Sequence, residues 1–144
     1  MTATATRAEV IAAAREWLGT RWHHQGRLKG VGVDCAGLVI GVAHQLNLAT
    51  FDISNYDRVP DGNQLASICH AQMSRINAAD LAPGDVMLMR FTGEPQHLAF
   101  VGDYPGGELS IIHAYAFARK VIETRLDDVW KSRVVEAFVL PGVA

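Results

Sequence analysis

The chain reads as a single α+β domain, with helices first and an antiparallel sheet of about five to six strands second. Three observations carry that reading. Apolar residues recur at helical spacing between Val10 and Met73. From Val86 onward the pattern changes to short β-rich runs divided by turn signals. The length, 144 residues, is enough for one sizeable core and too short for two ordinary ones, so residues 1–144 are expected to form one domain.

The elements follow in order. Thr6-Arg7-Ala8-Glu9 has the form of a capping box, the Thr side chain serving the backbone and Glu9 reaching back. Val10, Ala13, Ala14, Trp17 and Leu18 then share one helical face, and Gly19 ends the run. A loop with Gly26, Gly30 and Gly32 comes next. Asp34 is placed to cap a second helix from position 35 to about 46, apolar almost all round and therefore expected to be buried. A polar loop with Pro60 and Gly62 precedes a third helix, expected over 64–73. Pro83-Gly84-Asp85 is a turn signal. Strands are expected over 86–91, 97–103, 109–115, 121–124 and 134–140. Gly93, Pro95 and the run Pro105-Gly106-Gly107 separate the first three, which predicts hairpins, and a helical turn is expected near 127–130.

Composition sets limits on function. Hydrophobic residues at 49% and charged residues at 19% fit a folded, globular chain. The formal charge is −2 and the basic residues are scattered, so neither nucleic acid nor an anionic membrane is expected as a partner. No run approaches the roughly 18 apolar residues of a membrane span. Residues 1–7 are small and polar and lack the apolar core of a signal peptide, so synthesis without export by that route is expected. The two cysteines, Cys35 and Cys69, do not make a disulfide framework. Cys69 reads as a core residue.

Val33-Asp34-Cys35-Ala36-Gly37-Leu38 carries the chemistry. A cysteine in the first turn of a helix lies beside unpaired backbone N–H groups and the positive end of the dipole. Both favour a thiolate, which predicts a lowered pKa and a nucleophile. The same N–H groups can stabilise an oxyanion, and the small Ala36 and Gly37 would let a substrate backbone come close. On these residues alone, a buried structural thiol is an equal alternative.

A nucleophilic thiol needs a base, usually histidine. His97 opens an apolar strand, and His113 lies near the end of the next. Strands of one hairpin run about 5 Å apart, so one imidazole can act as base and the other can orient it. A one-residue register slip would separate them. The other histidines offer less. His44, nine residues after Cys35, falls on the opposite helix face, and His70 shows no partner. His23 and His24 either line a cleft or are solvated. A zinc site drawn from His23, His24, His97, His113 and Cys35 lacks the paired Cys-x-x-Cys or His-x-x-x-His spacing. No metal and no cofactor is expected. Trp17 and Trp130 read as packing residues.

Taken in order, these segments resemble the NlpC-type cysteine peptidases of bacterial cell walls, a papain-like group. The markers are Trp17-Leu18-Gly19-Thr20, Asp34-Cys35-Ala36-Gly37-Leu38-Val39, Pro83-Gly84-Asp85-Val86, Gln96-His97-Leu98-Ala99-Phe100-Val101 and Ile111-Ile112-His113-Ala114, which cover nearly the whole chain. The stretch from His24 to Cys35 looks like the branch found in phage tails and gene transfer agents. The resemblance implies a papain-like fold with Cys35 as nucleophile, His97 as base and His113 as orienting residue. It implies hydrolysis of an amide in the peptidoglycan stem peptide, between D-glutamate and the diamino acid, through an acyl-enzyme. It also implies tail-tip or hub proteins as partners, and action in the periplasm or cell wall after synthesis in the cytoplasm.

Trp22, His24 and Asp34, with Gln25, are the residues expected to line the substrate cleft. Family members commonly carry a tyrosine after a Gly-Thr-Pro step. Here the step reads Gly19-Thr20-Arg21-Trp22, so either the indole N–H serves the oxyanion or that contact is lost. Two alternatives remain open at this stage. The same three residues would suit another amide or a thioester, and a structural tail-tip hub could retain a degenerate site.

Overall fold

A computed structural model describes residues 4–53, 62–93 and 95–144. The loop expected around Pro60 lies outside these residues. Helix α1 spans Arg7–Arg15, and its capping box forms as the sequence predicts. The Glu9 N–H donates to Thr6 Oγ1 and the Thr6 N–H to Glu9 Oε1, both at 3.1 Å. The helix stops before Gly19, whose φ of 85° turns the chain back. Leu18, expected on the buried stripe, therefore stands on the turn and is exposed.

The glycine loop contains a small hairpin, β1 (Arg27–Leu28) with β2 (Gly32–Val33). Strands of two residues are too short to show alternation in sequence. Helix α2 spans Cys35–Gln45. The Gly37 N–H donates to Asp34 Oδ1 at 2.8 Å, so Asp34 is the N-cap. Helix α3 spans Gly62–Gln72, and a short α4 (Asp128–Lys131) is capped by Asp127.

The sheet contains β3 (Ser74–Ile76), β4 (Val86–Met89), β5 (His97–Tyr104), β6 (Glu108–Tyr115), β7 (Lys120–Arg125) and β8 (Val134–Val139). Their spatial order is β3-β8-β4-β5-β6-β7, every neighbouring pair antiparallel. Edge strand β3 is absent from the sequence reading, because Ser74-Arg75-Ile76 has no alternating apolar run and pairs only through β8.

Both faces of the sheet are covered. Val86, Leu88, Leu98, Phe100, Ile112 and Phe138 pack against α1 and α2, where Val10, Trp17, Leu38 and Val42 complete the main core. Met87, Met89, Ala99, Val101 and Ile111 face the other way, onto Leu126, Leu109, Trp130 and Val134. This is why the central strands read as continuous apolar runs. Asp85, fully buried, ties the start of β4 to α1: its carboxylate accepts from Arg7 Nη1 at 2.6 Å and from the Ala82 N–H at 2.7 Å.

Candidate active site

Cys35 opens α2 on the helical side of the sheet and is half-buried. The backbone N–H groups of Leu98 and Ala36, and its own, act on the sulfur in favour of the thiolate. The Leu98 contact shows how the site is made. The β5–β6 ladder runs from Tyr104–Glu108 to Phe100–Ile112 and goes no further. Past that point the Leu98 N–H turns to the thiol instead of to β6, so Cys35 sits where the two strands part, one residue from His97.

His97 and His113 stand on the other face of the sheet, and both are buried. In the register of β5 and β6 they are diagonal neighbours rather than directly opposed. Their rings meet edge to face, with His97 Nε2 and His113 Nδ1 2.7 Å apart. The pairing expected of the two strand histidines therefore forms, and no register slip separates them.

The expected lowering of the Cys35 pKa does not occur. Burial, then the neighbouring Asp34 carboxylate, push the thiol up to about 11. The N–H groups at the sulfur act in the expected direction but are outweighed. Burial also holds His97 well below the ordinary histidine value, with His113 adding to the effect, and lowers His113 to about 4. Burial thus favours the neutral form of the thiol and of both imidazoles.

Asp34, expected to face substrate, is instead turned into the fold. One carboxylate oxygen accepts from Gly37 N–H and Arg27 Nη1, the other from the Gln25 N–H at 2.8 Å. It caps α2 and buckles the glycine loop over the helix start. Arg27 extends the buckle to Asp52 and to the Ile53 carbonyl. Gly37, expected to admit a substrate backbone, is small for another reason. A Cβ there would run into the Gly26 carbonyl and lie 2.8 Å from Arg27 Nη1.

Trp22 is half-buried against the core, its backbone N–H bonded to the Arg119 carbonyl. It lines a cleft with Arg21, Arg119 and Lys120, and among the described residues none of these three cations is ion-paired. His24 is half-exposed in the buckled loop. His44 bonds the Phe51 carbonyl and His70 bonds Glu136, so His70 does have a partner. Cys69 lies in the core as expected, its thiol pushed up to about 12 by burial.

The sequence reading missed the aromatic wall around the histidine pair. Tyr115 stacks on His113 (5.0 Å, 12°), Trp130 stands at right angles to it (5.0 Å, 87°), and Phe91 packs on His97 (5.2 Å). Arg133 lies over Trp130 at 4.6 Å. Tyr115 was findable, because residues two apart on a strand share a face. Trp130 was not, since α4 reaches the sheet only in three dimensions.

An α+β fold with a helix-start thiol at the parting of two strands, each of which carries one imidazole of a buried pair, defines the papain-like class. The NlpC/P60 family pattern matches residues 19–139, and the chain belongs to that family. Among solved structures, the NlpC/p60 domain of the peptidoglycan hydrolase SagA is similar with TM-score 0.64 and 20% identity, over 94% of this chain and all of that one. An NlpC/P60 family protein from Bacillus cereus gives TM-score 0.65 and 20% identity, over 93% of this chain and 40% of its own. NlpC2 from Trichomonas vaginalis gives 0.67 and 17%, over 95% of this chain and 47% of its own. The chain thus spans the whole SagA domain but less than half of the other two proteins. At these identities the likeness is one of fold. Comparison with curated proteins finds no match.

Proposed function

We propose that residues 1–144 form a single peptidoglycan-directed cysteine peptidase domain, with Cys35 as nucleophile, His97 as base and His113 orienting the base. The observation that carries this reading is the bonded His97–His113 pair, with the thiol at the backbone N–H of Leu98, the residue that follows His97 on β5. Family membership supports the cell-wall substrate.

Because burial penalises each separated charge, the proton moves during attack rather than before it. As Cys35 Sγ bonds to the amide carbonyl carbon, its proton passes to His97 Nδ1. His97 returns that proton to the departing amine, leaving a thioester. Water then attacks the thioester, with His97 again as base, and releases the acid and the free thiol. The cations Arg21, Arg119 and Lys120 beside Trp22 suit the carboxylates of a stem peptide. We assign His24, in the neighbouring loop, as a further substrate contact. We assign the D-glutamyl–diamino acid bond as the target, and a phage or gene transfer agent tail tip, with its hub proteins, as the setting. A structural hub with a degenerate site is the second reading, favoured by Trp22 standing where relatives carry tyrosine.

Cys35→Ala on purified stem peptides tests the main reading. Product masses from the wild type should show cleavage at that bond, and the variant should lose it while melting at an unchanged temperature. Undiminished cleavage by a folded Cys35→Ala protein would sink the proposal, and an inactive wild type would leave the hub reading.

A further inference from the structure

The hydrogen bond between His97 Nε2 and His113 Nδ1 holds one proton, and the side on which it resides decides whether His97 can act as a base. If His97 Nε2 carries it, His97 Nδ1 is a bare lone pair and can accept the thiol's proton. If His113 Nδ1 carries it, His97 is protonated at Nδ1 and cannot. The choice is coupled to His113 Nε2, which must be N–H in the first arrangement and bare in the second.

Among the described residues, two buried side-chain polar atoms lack a hydrogen-bonding partner: Trp17 Nε1 and His113 Nε2. Among the described residues no side chain or backbone group bonds His113 Nε2, so an ordinary hydrogen bond between them does not set the tautomer. What surrounds the ring is aromatic. Tyr115 stacks on it, Trp130 stands perpendicular to it, and Trp130 is also perpendicular to Tyr115 (5.3 Å, 81°). Aromatic faces are electron-rich. A face that meets a ring edge-on attracts an N–H there and repels a nitrogen lone pair, and of the two rings only the perpendicular Trp130 can meet the His113 edge in this way. Arg133 over the indole and over Phe91 (5.2 Å) pins the wall in place.

We propose that Trp130 is a positioning residue that keeps the proton on His113 Nε2, with Tyr115 stacked on the ring to hold it in place, and so leaves His97 Nδ1 free as the base. His113 Nδ1 then accepts from His97 Nε2–H. The aromatic wall takes the place of a polar group that would otherwise hold the orienting residue in one tautomer. The functional meaning rests on the peptidase reading, but the tautomer itself does not.

Nitrogen-15 NMR of the histidine rings, at neutral pH and without substrate, reads the tautomers directly. We expect protonated-type shifts at His113 Nε2 and His97 Nε2, and bare-type shifts at both Nδ1 atoms. A protonated His113 Nδ1 in the wild type overturns the proposal. Trp130→Leu keeps apolar bulk but removes the aromatic face. It should shift His113 toward the Nδ1–H form and lower kcat by roughly tenfold at little change in KM. Trp130→Phe should restore both the wild-type shifts and most of the rate. Trp130→Leu with wild-type shifts would show that the wall does not set the tautomer. If Trp130→Leu does not fold, the wild-type and Trp130→Phe shifts decide. Cleavage that survives Cys35→Ala would overturn the peptidase reading alone and leave the tautomer assignment standing.

Discussion

Cys35 approaches from the helical face of the sheet and the two imidazoles from the other, and the chain places them by different means. The Cys35 side is local. Asp34 caps the helix that Cys35 opens, and the loop residues Gln25 and Arg27 lock onto the same carboxylate. The imidazole side is assembled by register. His97 and His113 are sixteen residues apart, and only the antiparallel alignment of β5 and β6 brings their nitrogens to 2.7 Å. Chemically, the position of the Cys35 thiol depends on a short segment that sequence can spell out. Its acidity depends on everything packed around it.

The largest effect that would sharpen this contrast is in thiol reactivity. With the thiol raised from 9.0 to about 11, the thiolate fraction near pH 7 falls about a hundredfold. Iodoacetamide should therefore label Cys35 in the folded protein far more slowly than the same cysteine in urea-unfolded chain. Fast labelling near pH 6 would mean a preformed thiolate and would break the neutral-pair description.

Next in size is the loss of the local buckle. Asp34→Ala removes the cap of α2 and strands the Gln25 N–H and Arg27, which should destabilise by about 2 kcal/mol. A lower urea midpoint at unchanged m-value checks it. An unchanged midpoint would mean that the helix start is held by packing alone.

The imidazole side should show itself in acid. Both histidines bind protons more weakly folded than unfolded. Their contribution is therefore whole above the unfolded value near 6.5 and is lost as pH falls below it, down to about 4 for His113 and lower for His97. Each contributes a slope of up to about 1.4 kcal/mol per pH unit in that window. Melts at pH 7, 6, 5 and 4.5 should fall progressively, and the fall should be shallower in His113→Phe. Equal slopes in the two proteins would mean that His113 is not buried neutral.

The smallest effect belongs to a pair outside both regions. Lys29 bonds Glu16 at 2.8 Å on the surface, and Lys29→Ala should leave the urea midpoint almost unchanged. A larger loss in a urea titration would show that the glycine loop leans on this contact as well as on Asp34.

The sequence by itself determined what depends on neighbours along the chain. The Thr6–Glu9 box, the Asp34 cap with Cys35 behind it, the turn at Gly84 and the main strand runs were all legible, because capping and alternation are short-range patterns. Tertiary structure alone decided the rest. It moved Asp34 from the substrate cleft into the fold, turned the Leu98 N–H toward the sulfur, raised rather than lowered the thiol, and brought Trp130 against His113. Each of these is a sum over residues distant in sequence, and burial and strand register exist only once those residues have met.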